Sequence, residues 1–569
     1  MEKFTFSTLN YQRPDFDGFE KEYRNLAVQV KQAESYKEVQ EVLQKMQELS
    51  DPMETMSTVA FIRNSLNTTD EFYEKEVEFI NNRMAEVKAS ITALGKEILA
   101  SRFTEDINKE YGKEFLVGLK RNVDQFREEI IPYLQEESKL TLQYQKLMAT
   151  AQIPFEGEAL NLYGIQKHFE DSDRNSRKAA FQAYSDFYHQ NEEEMENIFD
   201  KLIKVRNEMG KALGYENYIP LGYMLQERSD YGVKEVEAFR EQVRREIVPL
   251  CKTLYEAQRK RIGVKELMVY DEKYKFTDGN AEPIGDEDYL IREAQKMYHE
   301  MSPETGGFID FMIEHELMDL KNKPNKASTG YMTILHSYKA PYVFSCFNHT
   351  IFDMQVLTHE LGHAFAGYEA MREQKTSRYY MGGTDIAEIH SMSMEQFAYP
   401  YAEYFFGDAA DKYRFAHLQD AITFVPFGVA VDEFQHIVYA NPDLTPKERT
   451  LEWHKLEEKY MPWRKYEKDE FMERGGYWYH KLHIFLYPFY YINYTLTTMG
   501  AMEFKKRYLE NKEQAWKDYL NLCKAGSSKS YLELLKAANL SVPFEEGSVA
   551  NAISCAKEIL LKSIEDMKA

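Results

Sequence analysis

Residues 350–368 read Thr-Ile-Phe-Asp-Met-Gln-Val-Leu-Thr-His-Glu-Leu-Gly-His-Ala-Phe-Ala-Gly-Tyr, with His359-Glu-Leu-Gly-His363 at the centre. On an α-helix, positions i and i+4 lie almost above one another, so His359 and His363 can aim two imidazoles at one point. Glu360 is then turned far enough to reach a water at that point. Two neutral nitrogen ligands, an open position and a neighbouring carboxylate base form the arrangement that zinc-dependent hydrolysis needs. Thr350 to Asp353 has the form of a capping box and predicts a helix from there to about Tyr368. Met354, Leu357, Leu361, Phe365 and Tyr368 face away from the histidine stripe. A helix apolar nearly all round is a buried one. Two core histidines bonded to backbone carbonyls would be the plainer reading, but they would leave the intervening Glu360 without a role.

A zinc ion held for catalysis takes a third protein ligand. The compact solution with Gly three residues beyond the second His and another His three further on is excluded, because those places hold Ala366 and Glu369. Gly382-Gly-Thr-Asp-Ile-Ala-Glu388 predicts a turn and a new helix capped by Thr384 or Asp385, with Glu388 in its first turn. Glu388 is therefore a candidate ligand, or else only the closing member of a capping box with Asp385. Glu369 and His390 are rivals without so well-defined a helix start.

The 569-residue chain is long enough for two or more substructures, and its 41 Tyr and 35 Phe argue for an ordered protein. A formal net charge of −23 speaks against nucleic acid or an anionic membrane as partner. Met1 to Phe16 has no signal-peptide pattern, and no run of 18 apolar residues predicts a membrane span. Cys251, Cys346, Cys523 and Cys555 have no paired spacing and read as reduced thiols of a cytoplasmic protein.

Apolar residues at three- and four-residue spacing predict helices from Phe19 to about Glu156, broken at Ser50-Asp51-Pro52 and near Thr68. Further helices are predicted over Asp173–Leu213 and Val233–Arg261, with a loop between Val264 and Asp288. Gly330–Leu335 and Tyr342–Phe347 instead predict a β-hairpin leading into the histidine helix. The strand Tyr342–Phe347 is expected to be open, so that an extended peptide can add to it by main-chain hydrogen bonds, or else the hairpin is a small packing ribbon without a substrate role. Near the C-terminal end, His483, Tyr487, Tyr490, Tyr491 and Tyr494 cluster within twelve residues. They are either plain core or a wall of donors for the oxyanion that forms in amide hydrolysis.

His359-Glu-Leu-Gly-His-Ala-Phe365, Thr384-Asp-Ile-Ala-Glu388 and Ser393-Met-Glu395 resemble the thimet oligopeptidase/oligoendopeptidase F family of zinc metallopeptidases. The spacing from His363 to Glu388 fits that family. The similarity extends to Pro341–Asn348, His483–Tyr494 and Asp200–Gly210, covers about residues 190 to 545, and points to the oligoendopeptidase F branch. The resemblance implies a mainly α-helical fold of two helical halves around a deep channel, with a small β-hairpin or sheet beside the zinc helix. It implies residues 1–160 as an N-terminal helical region and 161–569 as the catalytic domain. It also implies one Zn²⁺ per chain on His359, His363 and Glu388, with short peptides as substrate. Glu360 would be the general base. His483 with Tyr491, Tyr494 or Tyr490 would serve the oxyanion, although the spacing of that segment departs from the family pattern. Asp385 and Glu395 stand close enough in sequence to orient a ligand imidazole. The alternatives are a related zinc carboxypeptidase or dipeptidase, and a helical binding protein whose zinc is structural.

Overall fold

In the computed structural model, residues 4–327, 329–347 and 350–567 are described. The chain is mainly α-helical, with one two-stranded and one three-stranded sheet among the described residues. It folds into two compact units, each assembled from separated stretches. One comprises residues 1–126, 282–410 and 507–540, the other 127–281, 411–506 and 541–569. These are spatial units, not chain segments, and the boundary at residue 160 runs through the second of them.

The first unit begins with three long helices, Phe16–Gln32, Tyr36–Leu66 and Glu71–Ala100. Their starts are written locally. The Asp15 carboxylate accepts from Gly18 N, Ser35 and Glu38 form a capping box, and Asp70 accepts from the Phe72 and Tyr73 amides. Phe19, Leu26, Val39, Leu43, Leu94 and Ile98 form their shared core. The break predicted at Ser50-Asp51-Pro52 is absent, because Pro52 lies inside the continuous helix Tyr36–Leu66. An interior proline forfeits one backbone hydrogen bond. Here Val39 and Leu43 before it, and Val59, Ala60 and Ile62 after it, are all buried on the same helix, which favours continuation.

The three-stranded sheet has the order Met318–Asp319, Ala340–Phe344, Tyr331–Leu335. Tyr331–Leu335 and Ala340–Phe344 form the expected antiparallel hairpin, with Tyr331 opposite Phe344 and Leu335 opposite Ala340. Met318–Asp319 pairs parallel with the other side of Ala340–Phe344. The amides of Val343, Ser345 and Phe347 donate to the carbonyls of Leu317, Asp319 and Leu320. The strand expected to be open is therefore the central one. The outer edge belongs to Tyr331–Leu335.

In the second unit, Val233–Arg261 forms a single helix with the bounds expected, and Arg174–Gln190 and Glu192–Ala212 divide the predicted run Asp173–Leu213. Buried Arg206 donates to Glu137 Oε1 at 2.6 Å, Tyr439 Oη at 2.8 Å and the Phe485 carbonyl at 2.7 Å. A guanidinium this deep is tolerated only because its donors are matched. One of those bonds pins the segment that follows His483.

Candidate metal centre

The histidine helix spans Ile351–Glu373, five residues further than expected, and Thr350 caps it by accepting from Phe352 N. It is buried along most of its circumference. Leu357, Leu361, Phe365 and Met371 are at most 1% exposed, Tyr298 Oη donates to the Leu357 carbonyl at 2.7 Å, and Trp516 and Tyr519 stack near Phe365. The helix is thereby held by packing on several sides, which fixes the direction of its histidines.

The next helix, Thr384–Phe397, starts after Gly383 with no side-chain cap, so neither Thr384 nor Asp385 caps it as expected. Glu388 consequently closes no capping box. It points at the histidines instead. Glu388 Oε2 lies 3.2 Å from His359 Nε2 and 3.4 Å from His363 Nε2. The two rings are 4.9 Å apart between centroids and nearly perpendicular, at 87°. A tetrahedron with zinc–ligand bonds of about 2.0–2.1 Å has edges of roughly 3.3–3.4 Å, so the two distances from Glu388 match such edges, and all three candidate donor atoms lie within 4.8 Å of one another. Among the described residues these three form the one cluster of His, Cys, Asp and Glu side chains suited to a metal. Glu369 and His390 are buried nearby in sequence but do not belong to it.

Two further contacts support the arrangement. Glu395 Oε1 is 2.6 Å from His359 Nδ1, which orients that ring with Nε2 towards Glu388. Ser391 Oγ donates to Glu388 Oε2 at 3.2 Å. Burial opposes a charged His359, yet Glu388 and Glu395 outweigh it and hold its pKa well above the ordinary value. Burial likewise opposes ionised Glu388, and His363 and His359 hold its pKa well below the ordinary carboxylate range. Such a site attracts a cation. His390 has the opposite character, with burial and then His363 pushing its pKa down to about 3.

Gly362 is a residue whose importance was not read from the sequence. A Cβ there would lie 2.8 Å from Ser391 Cα and 3.0 Å from Met394 Cβ. Only a glycine lets these two helices approach closely enough for Glu388 to meet both histidines. The signal was available, since the motif places this glycine one residue before His363, but its partner helix was not. Glu360 is partly exposed and has no hydrogen bond or ion pair with the described residues, leaving its carboxylate accessible to water.

The candidate oxyanion residues lie in the second unit. They are not on one helix. Leu482–Leu486 ends before Tyr487, and Ile492–Glu510 begins a new helix after a bend at Phe489, whose φ is 62°. Gln435 Oε1 accepts from Phe489 N at 3.1 Å, which helps to hold this left-handed conformation of a bulky residue. The bend gathers the tyrosines around His483. Ring centroids of Tyr491, Tyr490, Tyr487 and Tyr494 lie 4.8, 5.8, 5.9 and 6.1 Å from that imidazole. Burial, reinforced by Lys481, pushes His483 down to about 3, so it is a neutral imidazole at neutral pH and not an imidazolium.

Comparison with known proteins assigns the chain to a family. Residues 6–126 match the peptidase M3 N-terminal domain and residues 168–551 match peptidase family M3. The structure of Pz peptidase A with inhibitor 2 superposes with a TM-score of 0.92 at 41% identity, covering 98% of this chain and 99% of that one. An oligoendopeptidase F homolog of Borreliella burgdorferi is 23% identical over 68% of this chain, and the match spans 65% of its own length. Oligopeptidase PepF of Bacillus subtilis is 22% identical, over 91% of this chain and 79% of that protein. The matched span takes in the helices Ile351–Glu373 and Thr384–Phe397 and the His483 segment, and the chain belongs to peptidase family M3.

Proposed function

We propose that this protein is a zinc-dependent endopeptidase that hydrolyses short oligopeptides in the cytoplasm. The observation that carries the reading is the convergence of His359 Nε2 and His363 Nε2 on Glu388 Oε2, at 3.2 and 3.4 Å, with all three candidate donor atoms within 4.8 Å of one another, beside a Glu360 with no protein partner among the described residues. His359, His363 and Glu388 would hold one Zn²⁺, which when bound supplies Lewis acidity and an acidified water. Glu360 accepts the proton of the attacking water and delivers it to the leaving amine. Glu395 keeps His359 in the tautomer that presents Nε2. His483 and one of Tyr490, Tyr491 and Tyr494 donate to the oxyanion as the carbonyl becomes tetrahedral. An extended substrate adds to the outer edge of Tyr331–Leu335, since the side of Ala340–Phe344 away from the hairpin is taken by Met318–Asp319. No described helix is long and apolar enough to cross a membrane, which is compatible with the proposed compartment.

The purified protein is expected to carry about one zinc per chain and to lose peptide cleavage reversibly on chelation. Full activity at zero metal content would refute the reading. A peptide blocked at both ends separates the proposal from a carboxypeptidase or dipeptidase, because only an endopeptidase cuts it. A structural zinc would leave Glu360→Gln without effect.

A further inference from the structure

Within the first unit, a cavity of about 120 Å³ lies between the N-terminal helices and the segment Thr376–Arg378. It shares no residue with the metal cluster. At roughly 10–15 Å³ of such space per water, it has room for on the order of ten non-hydrogen atoms. Its walls are divided in character. Ile91, Leu94 and Leu119 form an apolar side, and Gln47, Ser50 and Asn122 add neutral polar groups.

Two opposite charges face this space without meeting. The Arg378 guanidinium has no hydrogen bond or ion pair among the described residues and lies over the Phe115 ring, 5.5 Å from its centroid. A second guanidinium, Arg121, stands beside it, since each comes within 3.8 Å of the point where a Gly118 Cβ would be. Burial, with the Arg121 charge adding to it, lowers the Arg378 pKa. Glu54 has His336 Nε2 at 3.3 Å and no other partner among the described residues, and 45% of its side-chain surface is exposed. Burial raises the pKa of this carboxyl too. A guanidinium that faces a cavity without a partner is costly, and a ligand that supplies its counter-charge recovers that cost; Glu54, partly exposed and shared with His336, offers the opposite charge at the same cavity. Arg378 asks for an anion, most effectively a carboxylate that accepts two of its donors. Glu54 asks for a cation of ammonium size. The apolar wall asks for a short hydrocarbon side chain.

We propose that this cavity is a binding site for a free α-amino acid in its zwitterionic form, with the carboxylate on Arg378, the ammonium on Glu54 and an aliphatic side chain against Ile91, Leu94 and Leu119. The segment Thr376–Arg378 lies in the link between the histidine helix, which ends at Glu373, and the helix that carries Glu388, which begins at Thr384. Peptide breakdown taken to completion ends in free amino acids, so a site here would sense the end point of the degradation to which this cleavage contributes. That role rests on the peptidase reading; the binding itself does not.

Equilibrium dialysis of the zinc-loaded full-length protein against labelled L-leucine tests the proposal. One saturable site is expected, with N-acetyl-L-leucine and L-leucinamide competing at least tenfold more weakly, because each lacks one of the two charges. Arg378→Gln removes the cation, and Thr92→Phe fills the cavity while leaving both charges in place. Each should weaken leucine binding at least tenfold, with peptide cleavage in the absence of leucine unchanged. No saturable binding to the unmodified protein overturns the proposal. So does undiminished binding in both variants, which would put the leucine elsewhere, the metal cluster included. Competition by N-acetyl-L-leucine equal to that of leucine itself would make the cavity an anion site and overturn the zwitterion assignment.

Discussion

Gly362→Ala isolates the contact on which the proposed metal site depends. By helix propensity alone the exchange should stabilise the histidine helix by up to about 1 kcal/mol. The tertiary contact predicts the opposite. The new methyl would lie 2.8 Å from Ser391 Cα and 3.0 Å from Met394 Cβ, whereas carbon atoms prefer about 3.5–4.0 Å. The first obstacle is backbone, so it cannot rotate aside, and the helix Thr384–Phe397 must retreat by on the order of 1 Å. Overpacking of this kind costs about 1–3 kcal/mol. Glu388 moves with its helix, away from histidines that now stand 3.2 and 3.4 Å from its Oε2. Ligand constellations tolerate only about 0.5 Å of misplacement, so zinc affinity should fall roughly 10- to 100-fold. Competition with a chelator of known affinity measures this directly, and circular dichroism establishes that the helical fold persists. Wild-type zinc affinity in the Gly362→Ala protein, with unchanged or raised stability, would refute the reasoning.

Glu360→Gln should keep its zinc while turnover falls by at least about 100-fold, since a general base contributes roughly 10²–10⁴-fold and no ligand is removed; metal analysis and steady-state kinetics on one preparation decide it. Replacing His483 by Ala, or the responsible tyrosine by Phe, should lower kcat on the order of 100-fold with little change in KM. Single Phe exchanges at Tyr487, Tyr490, Tyr491 and Tyr494 identify the donor, and near-wild-type kcat across all four returns the cluster to ordinary packing. Glu457, 6% exposed, is pushed up to about 7 from an ordinary 4.5 by burial, with Arg464 opposing. Its folded form binds the proton more tightly than its unfolded form, so the stability it contributes is complete below about pH 4.5 and is lost as pH rises through 7. Glu457→Gln should remove up to about 3 kcal/mol of that pH dependence in urea unfolding between pH 5 and 8, and parallel profiles for the two proteins would contradict the assignment.

Local rules carried much of the helical architecture. Val233–Arg261 has the expected bounds because its spacing and ends are properties of neighbouring residues. Where expectation and structure part, a distant group decides. Pro52 stays within a helix because burial on either side of it outweighs one missing hydrogen bond. The bend at Phe489 depends on contacts such as that with Gln435, 54 residues away, and nothing in the local sequence requires a left-handed phenylalanine.

For the site, the sequence by itself determined that His359, Glu360 and His363 share one helical surface, because the i, i+4 relation is built into helix geometry. It also offered Glu388, at a better-defined helix start than Glu369 or His390, and the resemblance raised it to the expected third ligand. The tertiary structure decided the rest. It brought Glu388 to both imidazoles and Glu395 to His359, and it showed why Gly362 stands between the histidines. It also made Ala340–Phe344 a central strand by adding Met318–Asp319 to its far side. Periodicity records which way a side chain points along its own element. It holds no information on which other element will lie against that face, and a metal centre or a sheet edge is defined by that second fact.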